Sequence, residues 1–336
     1  MEFLYEYGLF LAKAVTLIIA LVVVMAVIAS ARQRSQGHDA DLEVKDLSAS
    51  WRLQRDRLLK QMTPAKLLKA QQKQDAKAEK ASKGKQLERK RVLYVLDFKG
   101  SMDAHEVSAL RDEVSAILAV ADHEQDEVLV RLESGGGVVH GYGLGASQLE
   151  RLRRANLPLT VAIDKVAASG GYLMAVVASR IACAPFAYIG SIGVIAQLPN
   201  FNKLLRKHDV DYEQHTAGEY KRTLSVFGEN TDEGRAKFRE ELALIHQQFK
   251  AHVHRFRPAL QIDDVATGEV WSGVEAHQRG LVDDLLTSDD LLQARLAASD
   301  WQVLALSRKT PRPLLARLLK PAASLAQRAL LAVSRS

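Results

Sequence analysis

The chain holds a single cysteine, Cys183, among its 336 residues, so an intrachain disulfide is unavailable and a Cys-x-x-Cys pair is excluded. Set in an apolar stretch, that thiol reads as a small buried hydrophobe. His-Glu-x-x-His is missing too. His246, His252 and His254 fall on a polar, helical stretch that reads as a solvated face, not as a zinc site. Neither the nucleotide P-loop pattern nor the Rossmann glycine fingerprint occurs. The Gly-x-Ser-x-Gly elbow of α/β-hydrolases is absent as well. Acidic residues are lacking from Arg308 to the C-terminus, where seven basic residues stand alone. A second run of Lys, Arg, Gln and Ala covers Leu42 to Arg91, and the segment between is close to neutral. The formal charge of +6 therefore belongs to the flanks and says little about the substrate of the core. No nucleic-acid motif accompanies it. A membrane surface or plain solvation fits these charges better than DNA.

What is present has globular proportions. An apolar share of 47% with a charged share of 26% argues against disorder or a coiled coil for the whole chain. From Ala14 to Ala31 there are 18 residues without a charge, and Leu9–Ser30 contains only Lys13. That is enough helix to cross a hydrocarbon core of about 30 Å. A secretory signal peptide is disfavoured, because Glu2 and Glu6 occupy the place of its basic region and the apolar run is too long. A retained single-pass anchor over 9–30 is expected, after a flank at 1–8. Arg32, Arg34 and Lys45 follow it, which leans towards a cytoplasmic catalytic domain. Residues 31–90 read as a charged stalk with some helical character, broken at Pro64. Residues 301–336 read as a basic amphipathic tail, in which Leu314, Leu315, Leu318 and Leu319 alternate with Arg312, Arg317 and Lys320. That pattern suits a helix lying on a bilayer surface.

Between these flanks, residues 91–300 alternate strand and helix. Val92–Asp97, Val128–Leu132, Leu159–Ile163, Ile181–Ala184 and Ser191–Ile195 read as strands. Asp103, with Glu106 three residues on, offers an N-cap to a helix carrying Val107, Leu110, Val114, Ile117, Leu118 and Ala121. Further helices are expected over Leu144–Arg154, Gly171–Ser179 and Thr231–Arg257, the last with Phe238, Leu242, Ile245 and Phe249 on one face. Such alternation implies an α/β fold with a mostly parallel sheet. Function in such sheets gathers at the carboxyl ends of strands. No internal sequence repeat is visible.

Two Gly-rich turns follow strands. Glu133-Ser134-Gly135-Gly136-Gly137 can turn its N–H groups outward to hold a phosphate or an oxyanion, or be no more than a flexible turn. Ala167-Ala168-Ser169-Gly170-Gly171-Tyr172 sets a serine where a strand hands over to a helix, which exposes its hydroxyl. A serine nucleophile needs a base. Lys221, in Gly218-Glu219-Tyr220-Lys221-Arg222, is a candidate. A lysine serves as general base only if desolvation brings its pKa from about 10.4 towards roughly 7 to 8.

Taken together, six segments in order resemble the signal peptide peptidase A-like serine peptidases, most closely their SohB branch. They are Ser134-Gly135-Gly136-Gly137, Ala168-Ser169-Gly170-Gly171-Tyr172, Gly190-Ser191-Ile192-Gly193-Val194, Gly218-Glu219-Tyr220-Lys221, Val270-Trp271-Ser272-Gly273-Val274-Glu275-Ala276 and Gly280-Leu281-Val282-Asp283. The resemblance spans roughly residues 91–290. It implies a ClpP/crotonase-like fold of ββα units and a Ser–Lys dyad, with Ser169 as nucleophile and Lys221 as general base. Ser191 would orient the lysine, and the N–H groups of Gly136 and Gly170 would form the oxyanion hole. No cofactor or metal is implied. The implied substrates are polypeptides with exposed apolar segments, such as signal-peptide remnants or misfolded membrane proteins, at the bacterial inner membrane. Homo-oligomeric rings with active sites near protomer interfaces are implied as well. One departure stands out: the family proline of the first turn is Gly135 here. Two other classes compete, a crotonase-like acyl-CoA enzyme and a catalytically silent membrane scaffold. The first lacks a basic signature for CoA phosphates and leaves Lys221 unexplained, and the second leaves the whole Ser169, Ser191 and Lys221 set unexplained.

Overall fold

The computed structural model describes residues 42–64 and 89–308, with isolated helical positions at 7–10, 13, 15, 16, 67, 73 and 77. Residues 44–307 form one compact unit, and the flanks 1–43 and 308–336 group into a second. The apolar run at 14–31 and the tail beyond 308 lie almost wholly outside the described residues. Among those residues no helix is long and apolar enough to cross a membrane.

The compact unit is an α/β fold. In chain order its elements are β1 (Leu42–Asp46), α1 (Leu47–Met62), β2 (Arg91–Lys99), α2 (Val107–Val120), β3 (Glu127–Glu133), α3 (Val139–Arg154), β4 (Leu159–Ile163), β5 (Val166–Ala168), α4 (Gly170–Ala175) and β6 (Arg180–Cys183). They continue with β7 (Tyr188–Gly190), α5 (Asn202–Lys207), α6 (Asp232–Phe256), α7 (Ile262–Val265), β8 (Val270–Ser272), α8 (Gly273–Gln278), β9 (Asp284–Leu285), α9 (Ser288–Ala297) and β10 (Trp301–Arg308). Seven strands form one sheet in the order β1-β10-β2-β3-β4-β6-β9, and three form a second, β5-β7-β8. From β10 to β9 every pairing is parallel.

Buried parallel strands show near-continuous apolar runs, and β2 has one: Val92 to Leu96 are all buried. Alternate side chains go to opposite faces. Leu93 and Val95 pack with Leu129, Ala162, Leu292, Trp301 and Val303, and Leu47 at the start of α1 packs against them. On α2, Val107, Leu110, Val114 and Ile117 are buried at the expected helical spacing. The buried carboxylate of Asp126 fastens the sheet's entry, accepting from Val92 N at 2.8 Å and Arg89 Nη2 at 2.7 Å.

Several boundaries differ from the sequence reading. The domain does not stop at 91 and 300, because β1 and β10 join its sheet. Trp301, Val303 and Leu306 of β10 are buried, whereas β1 exposes Glu43, Val44 and Lys45. An edge strand needs little apolar signal, so charge disguised it as stalk. Asp103 does not cap α2. It accepts from Ser101 Oγ at 2.7 Å instead, and the helix starts from Glu106 without a side-chain cap. Helix α3 starts at Val139, five residues before Leu144, because Val138 N–H is bound by the Met102 carbonyl at 2.9 Å and Gly141 and Gly145 fit closely under Ala104 and Met174. Tertiary contact there outweighs poor helix propensity. Helix α4 ends at Ala175, short of Ser179. The strand expected at Ser191–Ile195 is displaced to Tyr188–Gly190, since positive φ at Gly190 (114°) and Ser191 (51°) turns the chain out of the sheet.

Candidate active site

The two Gly-rich turns meet because the strands before them are laced together. Ser134 N–H donates to the Val166 carbonyl at 2.9 Å, and Ala168 N–H donates to the Ser134 carbonyl at 3.0 Å. Ser169 follows with φ 51° and ψ −120°, a conformation that costs a non-glycine residue about 1–3 kcal/mol. It is held there by its own N–H, which donates to the Gly190 carbonyl at 2.8 Å, and by Leu173 N–H on its carbonyl at 2.9 Å. So the chain lacks the Gly-x-Ser-x-Gly sequence yet adopts a strained strand-to-helix turn of the same kind. Ser169 is half-buried. No hydrogen bond of its Oγ is found among the described residues.

Glycine is required at two approaches. At Gly136, φ is 89°, and a Cβ would lie 2.7 Å from both Ser169 Cβ and Gly170 N. At Gly170, a Cβ would strike the Tyr142 ring. The Gly170 N–H, at the first helical position, has no acceptor among the described hydrogen bonds. The Gly136 N–H has one: it donates to Ser134 Oγ at 3.0 Å. Gly135 differs, with nothing within 4 Å of an added Cβ.

Ser191 is tied to the same place through backbone, because its neighbour Gly190 takes the Ser169 N–H. Trp271 of β8 covers Gly190, and Ser191 N–H donates to the Glu269 carbonyl at 2.6 Å. Lys221 is elsewhere. It is exposed, on a turn closed by its N–H to the Gly218 carbonyl at 3.2 Å. It borders a hollow of about 400 Å³ with Leu198, Thr223, Leu224 and Phe238, which Ser169 does not line. Among the described residues no hydrogen bond joins Lys221 to Ser169 or Ser191. One chain therefore ties Ser169, Gly136, Gly170 and the backbone before Ser191 together, with no hydrogen bond from them to the lysine among the described residues.

Other residues support this site in roles that the sequence did not give them. His252 is half-buried, its Nε2 lying 3.1 Å from the Leu173 carbonyl of α4, and His246 Nε2 lies 3.2 Å from the Ile192 carbonyl. Those two are not a solvated face: α6 uses them to hold the segments after Ser169 and Ser191. His254 is exposed. Tyr172 donates to the Leu281 carbonyl at 2.8 Å, and Asp283 accepts from Ile181 N–H at 2.7 Å and from Arg257. The Gly280–Asp283 motif is thus a brace beneath α4. Cys183 is fully buried, and that burial pushes its thiol up to about 11, which keeps it inert.

Comparison with known proteins bears on the chemistry. The family model described as Peptidase family S49 N-terminal matches residues 2–149, and Peptidase family S49 matches 151–301. A probable protease SohB of Haemophilus influenzae is 47% identical over 329 residues, 94% of this chain and 91% of that protein. Another, from Buchnera aphidicola subsp. Schlechtendalia chinensis, is 46% identical over 306 residues, 88% of this chain and all of that one. Among solved structures, a membrane-bound stomatin-specific protease with a substrate peptide aligns at 14% identity over 69% of this chain and 99% of its own. Its TM-score is 0.41, too low to bear on fold or mechanism.

Proposed function

This chain belongs to peptidase family S49, in its SohB branch, and is a serine-type peptidase; we propose that it works through a Ser–Lys dyad of Ser169 and Lys221. The observation that carries this reading is the strained, half-buried Ser169 wedged between Gly136 and Gly170. In the proposed cycle the neutral amine of Lys221 takes the proton of Ser169 Oγ as that oxygen attacks the scissile carbonyl carbon. The carbonyl π electrons move onto its oxygen, which the N–H groups of Gly170 and Gly136 stabilise. The ammonium then returns the proton to the leaving amine, and the C–N bond breaks to leave an acyl-serine. Water enters and gives a proton to Lys221 as its oxygen attacks the acyl carbon. The ammonium then returns that proton to Ser169 Oγ as the bond from the acyl carbon to the serine oxygen breaks, releasing the acid and restoring both groups. Ser191 orients the amine.

The exposed position of Lys221 supports a dyad completed by a second copy of the chain. An ammonium in water keeps its proton, and only a covering surface dries it. Apolar side chains that border the same hollow await such a cover: Leu198 and Tyr220 are exposed and Phe238 of α6 is only half-buried, and Ile195, just before this lining in the chain, is 78% exposed. We propose a ClpP/crotonase-like fold from the resemblance of the six motifs, and ring-like assembly from this uncovered surface. The proposed substrates are extended apolar segments of signal-peptide remnants or misfolded membrane proteins, reached from a single-pass anchor at 9–30 in the bacterial inner membrane.

The test is labelling of the full chain by a fluorophosphonate, read with peptidase activity. The parent labels at Ser169, and Ser169→Ala neither labels nor cleaves while folding as before. Lys221→Arg keeps the charge but cannot give up its proton, so its rate falls below a tenth of the parent's, at least about 1.4 kcal/mol of barrier. An arginine variant above that level would place the base elsewhere.

A further inference from the structure

Behind the first Gly-rich turn two buried hydroxyls lie in line, and the Ser–Lys chemistry makes no use of them. Ser134 is 2% exposed and Tyr142 is fully buried. The Tyr142 hydroxyl donates to the Ser101 carbonyl at 2.8 Å, which leaves its oxygen to accept from Ser134 Oγ at 2.5 Å. Ser134 Oγ accepts the Gly136 N–H at 3.0 Å. Each hydroxyl gives one hydrogen bond and takes one, so the chain runs in a single sense from Gly136 N–H to Ser101 C=O. Burial raises the Tyr142 hydroxyl above its ordinary value, so it stays a donor. Both ends are anchored: Gly100 N–H donates to the Glu133 carbonyl at 3.0 Å, and Val138 N–H to that of Met102 at 2.9 Å. The Tyr142 ring meanwhile lies flush against Gly170, leaving no space for a Cβ.

We propose that Ser134 and Tyr142 are positioning residues for the oxyanion hole, setting the Gly136 peptide through their hydroxyls and Gly170 through the tyrosine ring. The proposal rests on the Ser169 reading above. A neutral hydroxyl is a weaker acceptor than an oxyanion. As charge develops on the substrate, the Gly136 N–H transfers its donation, while Ser134 Oγ stays fixed by Tyr142. Little else has to reorganise, the condition under which such donors act most strongly. Gly135 carries no ring to stiffen this turn, and the hydroxyl pair stiffens it instead.

The experiment uses the full chain and compares Tyr142→Phe, Ser134→Ala, their double variant and Ser134→Thr. Three quantities are read: kcat and KM on an apolar fluorogenic peptide, affinity for a peptide boronate that forms a tetrahedral adduct on Ser169, and affinity for the uncleaved peptide in a Ser169→Ala background. Each single variant loses about 10- to 100-fold in kcat with KM within about twofold. Boronate affinity falls in step with kcat/KM while peptide affinity holds. The double variant is no worse than the poorer single, because both act through one chain, and Ser134→Thr restores most of the rate. Unchanged kcat overturns the proposal, as do additive losses or equal losses of boronate and peptide affinity. If Tyr142→Phe does not fold, Ser134→Ala against Ser134→Thr decides alone. A parent that neither cleaves nor labels at Ser169 refutes the peptidase dyad and this role with it. An active parent with unaffected variants refutes this role only.

Discussion

At position 136 a single methyl group has nowhere to go. Its φ of 89° already disfavours any L side chain, and a Cβ would press on Ser169 Cβ and Gly170 N at 2.7 Å, atoms that cannot give without moving the proposed nucleophile. Gly136→Ala is therefore expected to lose at least about 100-fold in kcat/KM, with about 1–3 kcal/mol of stability. Kinetics and a denaturant titration check the pair, and a fully active alanine variant would remove position 136 from the site. One residue earlier the sign reverses. Gly135 has open space around it, no positive φ, and no described hydrogen bond from its N–H. Gly135→Pro is expected to fold, to keep activity within a few-fold, and to gain about 0.4–1 kcal/mol by restricting the unfolded chain. A loss of stability would mean that the glycine is needed for its conformation.

Helix α6 illustrates how much one element can hold. Thr231 caps it, accepting Gly234 N–H at 3.0 Å, and it runs unbroken from Asp232 to Phe256. Along it His246 meets Ile192, His252 meets Leu173, and just past its end Arg257 pairs with Asp283. Burial lowers the pKa of His252 below its ordinary 6.5, opposed by its bond to the Leu173 carbonyl. The unfolded chain then binds the proton more readily than the folded one. Stability from this residue is complete above about pH 6.5 and declines as pH falls through the lowered folded value. Thermal midpoints at pH 7.5 and pH 5 check this. The parent should lose more on acidification than His252→Gln, whose amide can still donate to Leu173 but does not titrate. Equal losses would show that the imidazole binds its proton equally well in the folded and the unfolded chain.

For the molecule as a whole, one stretch concentrates exposed apolar side chains. Between Ile195 and Phe227 the chain forms little regular structure and carries Ile195, Leu198, Phe201, Leu204, Val210, Tyr212, Tyr220 and Phe227 in the open. Exposed apolar side chains gathered along one segment suit the contact with another copy of the chain proposed above. Ile195→Asp changes a side chain that touches little in one protomer, so the monomer's stability should stay within about 0.5 kcal/mol. Assembly and activity should fall together. Light scattering beside steady-state rates measures both. A dissociated but fully active variant would show that each protomer contains its own complete dyad.

Local chemistry made much of this protein readable from its residues alone. Six spaced motifs identified the family. Apolar runs marked β2, β3 and β4, and apolar periodicity marked α6 to within a residue, since such signals lie within a few residues of what they determine. The polar β1 escaped notice because an edge strand is recognised by its partner β10, more than 250 residues away in sequence. The torsion of Ser169, the closeness of Gly136 to Gly170 and the Tyr142–Ser134 hydroxyl pair escaped it for the same reason. Each is imposed by atoms from separate strands and helices, which only the folded backbone brings within hydrogen-bonding distance. Sequence could nominate Lys221 as the base. Its exposure in a single chain is a property of the tertiary structure, because burial belongs to an arrangement and not to a residue.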